Sequence, residues 1–365
     1  MTLQERLGLV SGRGPGFDQI RLVAATVVLL HHCRLTQNDI RDPLFLYSGG
    51  FVHFGLLAVI VFFAISGFLV TPGLLRSGDL VEFSINRVLR IFPALAVVVL
   101  AIMVGLGPLL TSVSYREYFT DPLFYRYAKN ILTLTSNYLP GVTSAGGVPL
   151  VVNGALWTLH FEVLAYGTLA LMSVLGILRS RAILAVTILS SFVVYLSIHF
   201  DPGFARWLPG RFVTFMELFI YFVAGSALFV IRDRIPFSGA LALFALLAIL
   251  VSLPIGLGPV FLPICLPYIA VFGGLSVLPG KSLLKRDISY GVYLIHASVV
   301  VAFTLLFPGI GHWWLLAVLV FVATLILAYL SRILVEEPAL ARKKALSHWI
   351  NSRVGTLKPR LTFDS

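Results

Sequence analysis

Apolar residues run along this chain in long blocks, separated by short stretches that are polar and mostly basic. Ten blocks are long enough to cross a bilayer as helices: 17–34, 52–74, 87–110, 154–178, 182–200, 212–231, 238–254, 258–279, 288–307 and 312–335. The pattern predicts an all-α polytopic membrane protein of about ten transmembrane helices. The longest connection, 111–153, contains "YREYFTDPLFYRYAKNILTLTSNYLPG", which reads as a short amphipathic or re-entrant helix on one face. No internal repeat or low-complexity segment breaks the series. The first block lacks a small-residue cleavage site after it, so it is expected to stay as a helix and not to act as a signal peptide.

Composition agrees with this reading. Of 365 residues, 58% are hydrophobic and 12% charged, and the mean hydropathy is +0.96. That leaves too little polar surface to cover a soluble globule. The net charge of +11 is spread over short loops and the tail ("ARKK", 341–344), which fits a membrane face and not nucleic acid. With a cytoplasmic N-terminus, 20 of the 27 Lys and Arg fall on the cytoplasmic side, so both termini are expected there and the span number is even. The expected division is a transmembrane domain over 1–340 and a basic cytoplasmic tail over 341–365, in a multi-pass protein of the inner (plasma) membrane. Cys33 and Cys265 offer neither a disulfide framework nor a metal-ligand spacing, and no metal is expected.

Polar groups inside the apolar blocks carry the chemistry, because each is costly in that solvent. "FDQIRLVAATVVLLHHC" holds Arg21, His31 and His32. Eleven residues separate Arg21 from His32, three helical turns plus about 20°, so the two share a face roughly 16 Å apart along the axis. His31 points about 100° away. Either Arg21 snorkels to cytoplasmic headgroups while His32 sits at the outer interface, or the pair lines one working face. In the second block Ser66 precedes Gly67. The glycine suits close helix packing, and the serine is a nucleophile candidate without an implied base. Arg87 and Arg90 are i, i+3 neighbours that could fork onto phosphate oxygens or anchor to anionic lipid.

The fourth block opens "NGALWTLHFEVLAYG", with Glu162 near Trp157, His160 and Tyr166. A carboxylate at that depth needs a partner or a proton. It lies toward the same side as His32, so a His32–Glu162 pair or a plain helix–helix hydrogen bond is expected. Glu217 poses a similar question with less context. In the ninth block Ser289, Tyr293 and His296 form a polar stripe, suited to lining a cavity or holding helices together. Glu336 and Glu337 precede Pro338 at the cytoplasmic edge, where one could pair with Arg21, Arg87 or Arg90.

Taken in order from Phe17 to Pro338, these pieces resemble the membrane-bound acyltransferase-3 family, bacterial enzymes that O-acetylate or otherwise O-acylate surface glycans. "FDQIRLVAATVVLLHH" looks like its Arg-x10-His signature, with Arg21 and His32 in the two positions. "VFFAISGFL" resembles the second-helix motif, "RVLRIFP" the Arg-x-x-Arg motif, and "ALWTLHFEVLAY" the Trp-Ser/Thr-Leu-x-x-Glu motif with Trp157 and Glu162. "ISYGVYLIH" and "VEEP" match the closing motifs, with Glu336 in the Glu-x-Pro position. The resemblance implies a ten-helix fold and transfer of an acyl group, most often acetyl, from cytoplasmic acyl-CoA to a carbohydrate hydroxyl.

On this reading acetyl-CoA or another acyl-CoA is the donor substrate, with no bound cofactor. His32 is the general base and Glu162 its orienting partner. Arg87 and Arg90, with Arg21, hold the donor, and Ser66, Trp157, Tyr293, His296 and Glu336 line the substrate cavity. The partners implied are acyl-CoA, a carbohydrate or lipid-linked glycan acceptor and membrane lipid. A periplasmic hydrolase-like domain is fused to many family members. Only about 30 residues follow the last block, so a separate periplasmic partner is the alternative to working alone. The rival reading from another class is a proton-coupled transporter or exporter, for which an intramembrane His/Glu/Arg set would also serve.

Overall fold

Ten helices of fourteen residues or more follow the apolar blocks in the computed structural model, which describes residues 1–10, 14–36, 42–77, 79–278 and 286–354. They are α1 (Gly16–Thr36), α2 (Phe54–Ser77), α3 (Leu80–Leu100), α4 (Trp157–Val174), α5 (Arg181–Phe200), α6 (Gly210–Val230), α7 (Gly239–Ser252), α8 (Gly258–Ser276), α9 (Ser289–Leu306) and α10 (Trp313–Ser331). Seven described helical stretches are long and apolar enough to cross a membrane, those of α2, α3, α5, α6, α8, α9 and α10. The blocks expected at α1, α4 and α7 are helical too. Among the described residues the β pairing consists of two isolated bridges, Thr2 with Pro236 and Thr143 with Pro149. Residues 355–365 of the expected tail lie outside the described residues.

The 111–153 connection folds into two short helices, Tyr115–Thr120 and Pro122–Tyr127, and a 3-10 turn, Ala128–Leu132. Each short helix has a polar cap: Ser114 Oγ accepts from the Glu117 N–H, and Asp121 Oδ1 from the Leu123 N–H. Two π-helical stretches interrupt the long helices. One, Ala101–Leu106, extends α3, and the other, Arg332–Glu336, follows α10. A wide turn of that kind re-aims the residues after it.

The tightest crossing joins α2 to α6. A Cβ on Gly67 would run into the Phe222 carbonyl, and one on Gly225 into the Ala64 carbonyl, so each backbone rests in the gap the other leaves. Ser226 Oγ bridges the crossing by donating to the Gly67 carbonyl at 3.3 Å. In lipid, helices associate by such close packing and interhelical hydrogen bonds, because apolar burial gives little net drive. α1 packs on α2, α9 and α10. With α3 and α4 alongside, the polar residues of these helices turn inward.

Candidate functional site

Arginines gather at the end of the bundle where α1 and α3 begin. Arg90 donates from Nη2 to Asp287 Oδ2 at 2.7 Å and from Nη1 to Glu336 Oε2 at 3.3 Å. Arg332 Nη1 reaches the same Glu336 oxygen at 3.2 Å. Arg21 lies 3.8 Å from Asp287 and 3.9 Å from Asp18. The π turn after α10 carries Glu336 inward until it is 2% exposed, which is how a residue at a helix end meets an arginine deep on α3. Burial alone would raise the Asp287 carboxyl, but Arg90 and Arg21, with hydrogen bonds from Ser289, hold it at about 2. Of the three arginines weighed for Glu336, Arg90 makes the contact; Arg21 turns to Asp287. Sequence reasoning missed Asp287, which sits two residues before α9 and accepts from the Ser289 N–H.

Arg87 is placed differently. It makes no ion pair among the described residues, and its buried Nε has no hydrogen-bond partner there. Its guanidinium lies over the Tyr166 ring, 5.5 Å from the centroid. It borders an internal cavity of about 80 Å³ together with Arg21, Ser66, Glu162, Tyr166 and Tyr293. Arg90 also borders this space, already engaged by two carboxylates. Glu162 Oε1 accepts a 2.5 Å hydrogen bond from the Tyr166 hydroxyl one turn along α4. The expected His32–Glu162 pair is therefore not formed: Glu162 turns into the arginine-lined cavity.

The imidazole of His32 finds another imidazole instead. His32 Nδ1 is 2.9 Å from the Val28 carbonyl and 3.3 Å from His296 Nε2. His296 is fully buried, with its own Nδ1 3.0 Å from the Val292 carbonyl. Carbonyls only accept, so His296 carries its proton on Nδ1 and presents a lone pair at Nε2. His32 must then be the Nδ1–H tautomer, donating toward Val28 and His296, which leaves His32 Nε2 unprotonated. His32 borders a second, larger cavity of about 1050 Å³, with Thr36, Ser144, Gly154, Ala297 and Val301 among its walls. His296 stands behind His32 and does not line this space.

A thin wall divides the two cavities. Tyr293 lines the small one and Ala297 the large one, four residues apart on α9, or about 6 Å. Tyr293 closes the wall through its hydroxyl, 2.6 Å from Thr158 Oγ1 and 3.1 Å from the Ala155 carbonyl. Of the polar stripe on α9, Ser289 and Tyr293 thus face the small cavity, and His296 holds α9 to α1.

Three residues lie apart from both spaces. His31 is stacked on His53 at 4.3 Å between ring centroids, with its Nδ1 3.5 Å from Asp42 Oδ2. Ligand atoms of His31, Asp42 and His53 fall within 4.8 Å of one another. The stacked rings are only 7° from parallel, so their in-plane lone pairs do not converge on one ion. Asp42 is further occupied by the N–H groups of Leu44, Phe45 and Phe54. Trp157 borders a separate pocket on α4, and Glu336 belongs to the ion network.

Comparison with known proteins assigns the chain to a family. The family model described as an acyltransferase domain, that of the acyltransferase-3 family, matches residues 15–333. Nodulation protein 10 of Rhizobium leguminosarum bv. viciae is 34% identical over 363 residues, 92% of this chain and 96% of that protein. An O-acetyl transferase of Shigella phage Sf6 is 36% identical over 152 residues, 41% of this chain and 43% of its own length. No solved structure matches. The chain belongs to the acyltransferase-3 family and is a membrane acyltransferase.

Proposed function

We propose that this acyltransferase moves an acetyl group from cytoplasmic acetyl-CoA to a hydroxyl of a carbohydrate or glycoconjugate held at the other membrane face, with His32 as general base. One observation carries the reading: His32, its Nδ1 engaged by Val28 and His296, borders a large cavity, and an arginine with no ion pair among the described residues borders a small one about a helical turn away. The phage relative's name, O-acetyl transferase, supports acetyl as the group and oxygen as the acceptor atom.

Arg87 binds a CoA phosphate, since a partly buried guanidinium with no ion pair among the described residues is matched to such an anion. Arg90 and Arg21, already paired with Asp287, hold the mouth in shape. The pantetheine arm enters between α2, α3 and α4, and the thioester meets the acceptor at the wall when the bound acceptor displaces the Tyr293 side chain. The acceptor hydroxyl donates its proton to His32 Nε2 as its oxygen attacks the thioester carbonyl. The C–S bond then breaks, and the CoA thiolate takes the proton back from His32. His296 accepts from the His32 Nδ1–H throughout, which keeps Nε2 aimed at the acceptor and steadies the imidazolium. Ser66 lines the donor cavity beside Tyr166, whose hydroxyl is given to Glu162, and with His32 serving the acceptor the transfer is direct.

The protein works as a multi-pass enzyme of the inner membrane, with 1–340 as the catalytic domain and both termini in the cytoplasm. Purified protein in liposomes, given radiolabelled acetyl-CoA and a panel of glycan acceptors, tests the reading. Label should enter an acceptor only when protein and acetyl-CoA are both present. Label no higher than in empty liposomes, across acetyl- and succinyl-CoA, would refute it.

A further inference from the structure

A third polar space opens beside the two cavities, at the end of the bundle that carries His32. It measures about 380 Å³ and is walled by Arg126, Lys129, Trp157, His160, Phe161 and Arg211. The 111–153 connection supplies Arg126 and Lys129 from its second short helix and its 3-10 turn. The first turn of α6 supplies Arg211, and the first turn of α4 supplies Trp157 and His160. No acidic residue lines the pocket, and none of its three permanent cations makes an ion pair among the described residues.

That gathering runs against the charge distribution of the chain. Under the expected topology only seven Lys and Arg lie on this side, and three of them meet in one pocket. Cations here run against the positive-inside bias, and three like charges around one exposed space repel one another, which an anion between them relieves. Two of the three are arginines, whose planar fork suits phosphate oxygens better than a single-point charge does. Trp157 and Phe161 meet edge to face at 5.8 Å on the same wall and supply an apolar surface beside the charges.

We infer that this pocket binds the phosphate or pyrophosphate of a phosphorylated sugar acceptor, and so positions the acceptor for the reaction at His32. The inference rests on the acyltransferase reading above and names its acceptor class. A membrane phospholipid headgroup offers the same phosphate chemistry, and the test separates the two sources.

The measurement is equilibrium binding of radiolabelled inorganic pyrophosphate to the full chain in phosphatidylcholine nanodiscs. Arg126→Ala/Lys129→Ala/Arg211→Ala is expected to weaken binding about tenfold or more. Arg116→Ala removes a cation of the same connection outside the pocket and should leave binding as it was. Equal binding by the wild type and the triple variant, or equal loss with Arg116→Ala, would overturn the subsite. If the triple variant does not fold, Arg126→Ala and Arg211→Gln singly must each show a smaller loss in the same direction. Unchanged pyrophosphate affinity in phosphatidylglycerol nanodiscs supports an acceptor-borne phosphate. A marked loss there would assign the pocket to lipid headgroups and overturn the acceptor role. Acetyl transfer measured in parallel keeps the two claims apart: intact pyrophosphate binding in a protein inactive with acetyl-CoA would refute the proposed acetyl transfer and not the anion site.

Discussion

His296 Nε2 lies 3.3 Å from His32 Nδ1, and the backbone carbonyls of Val292 and Val28 on either side fix which nitrogen of each ring bears the proton. A buried imidazole thus does for His32 what a carboxylate commonly does for a catalytic histidine. The prediction is specific to an acceptor at that point. His296→Ala should lower kcat by about one to two orders of magnitude and leave the KM for acetyl-CoA nearly unchanged. His296→Gln, which keeps an acceptor oxygen, should recover part of the loss and shift the pH profile. A purely structural role would instead lower both variants equally.

Arg87 and Arg90 are one helical turn apart and have opposite surroundings. Arg87→Ala should raise the KM for acetyl-CoA about tenfold or more with little change in melting temperature, since its guanidinium has no carboxylate partner to abandon. Arg90→Ala strips the counter-charge from Asp287 and Glu336 and should destabilise the fold by roughly 3–5 kcal/mol. Melting curves and donor titrations on the two variants separate binding from stability.

The wall at Tyr293 makes a kinetic prediction. Tyr293→Ala removes the ring and the hydroxyl that close the gap to Thr158 and Ala155, joining the two cavities. Water then reaches the thioester, and acceptor-independent release of CoA should rise several-fold as acetyl transfer falls, by the loss of water exclusion. CoA release unchanged in the absence of acceptor would show that the wall does not shield the donor.

Asp287 sets a pH limit on the arginine end. Its folded value of about 2 lies below the ordinary 3.8, so its ion pairs contribute fully above about pH 4. That contribution, about 2 kcal/mol, is lost as pH falls from about 4 toward 2. Asp287→Asn should be less stable at neutral pH and should lose less between pH 5 and 2.5 than the wild type does. Thermal melts across that range check the sign.

Much of this was legible in the residues. Every apolar block became a helix, because runs of that length leave the backbone no other way to satisfy its hydrogen bonds in lipid. Gly67 was readable as a packing residue, and Arg21 and His32 as opposite ends of one helix face. Periodicity says which residues share a face, but not which neighbouring helix meets them at a given height. Glu162 was therefore matched to His32, when the register of α4 carries it to the cavity with Arg87. The Arg90–Glu336 contact depends on a π turn that no local propensity announces. Asp287 was passed over because it lies just outside the apolar block, where an acidic residue needs no partner until the fold brings two arginines to it.

The central claim is tested most directly by acetyl transfer from radiolabelled acetyl-CoA, comparing the reconstituted wild type with His32→Ala and His31→Ala. The account predicts that His32→Ala loses two to four orders of magnitude, the usual worth of a general base, and that His31→Ala stays within about threefold of wild type. Transfer that survives the loss of His32, or that needs His31 instead, would contradict it.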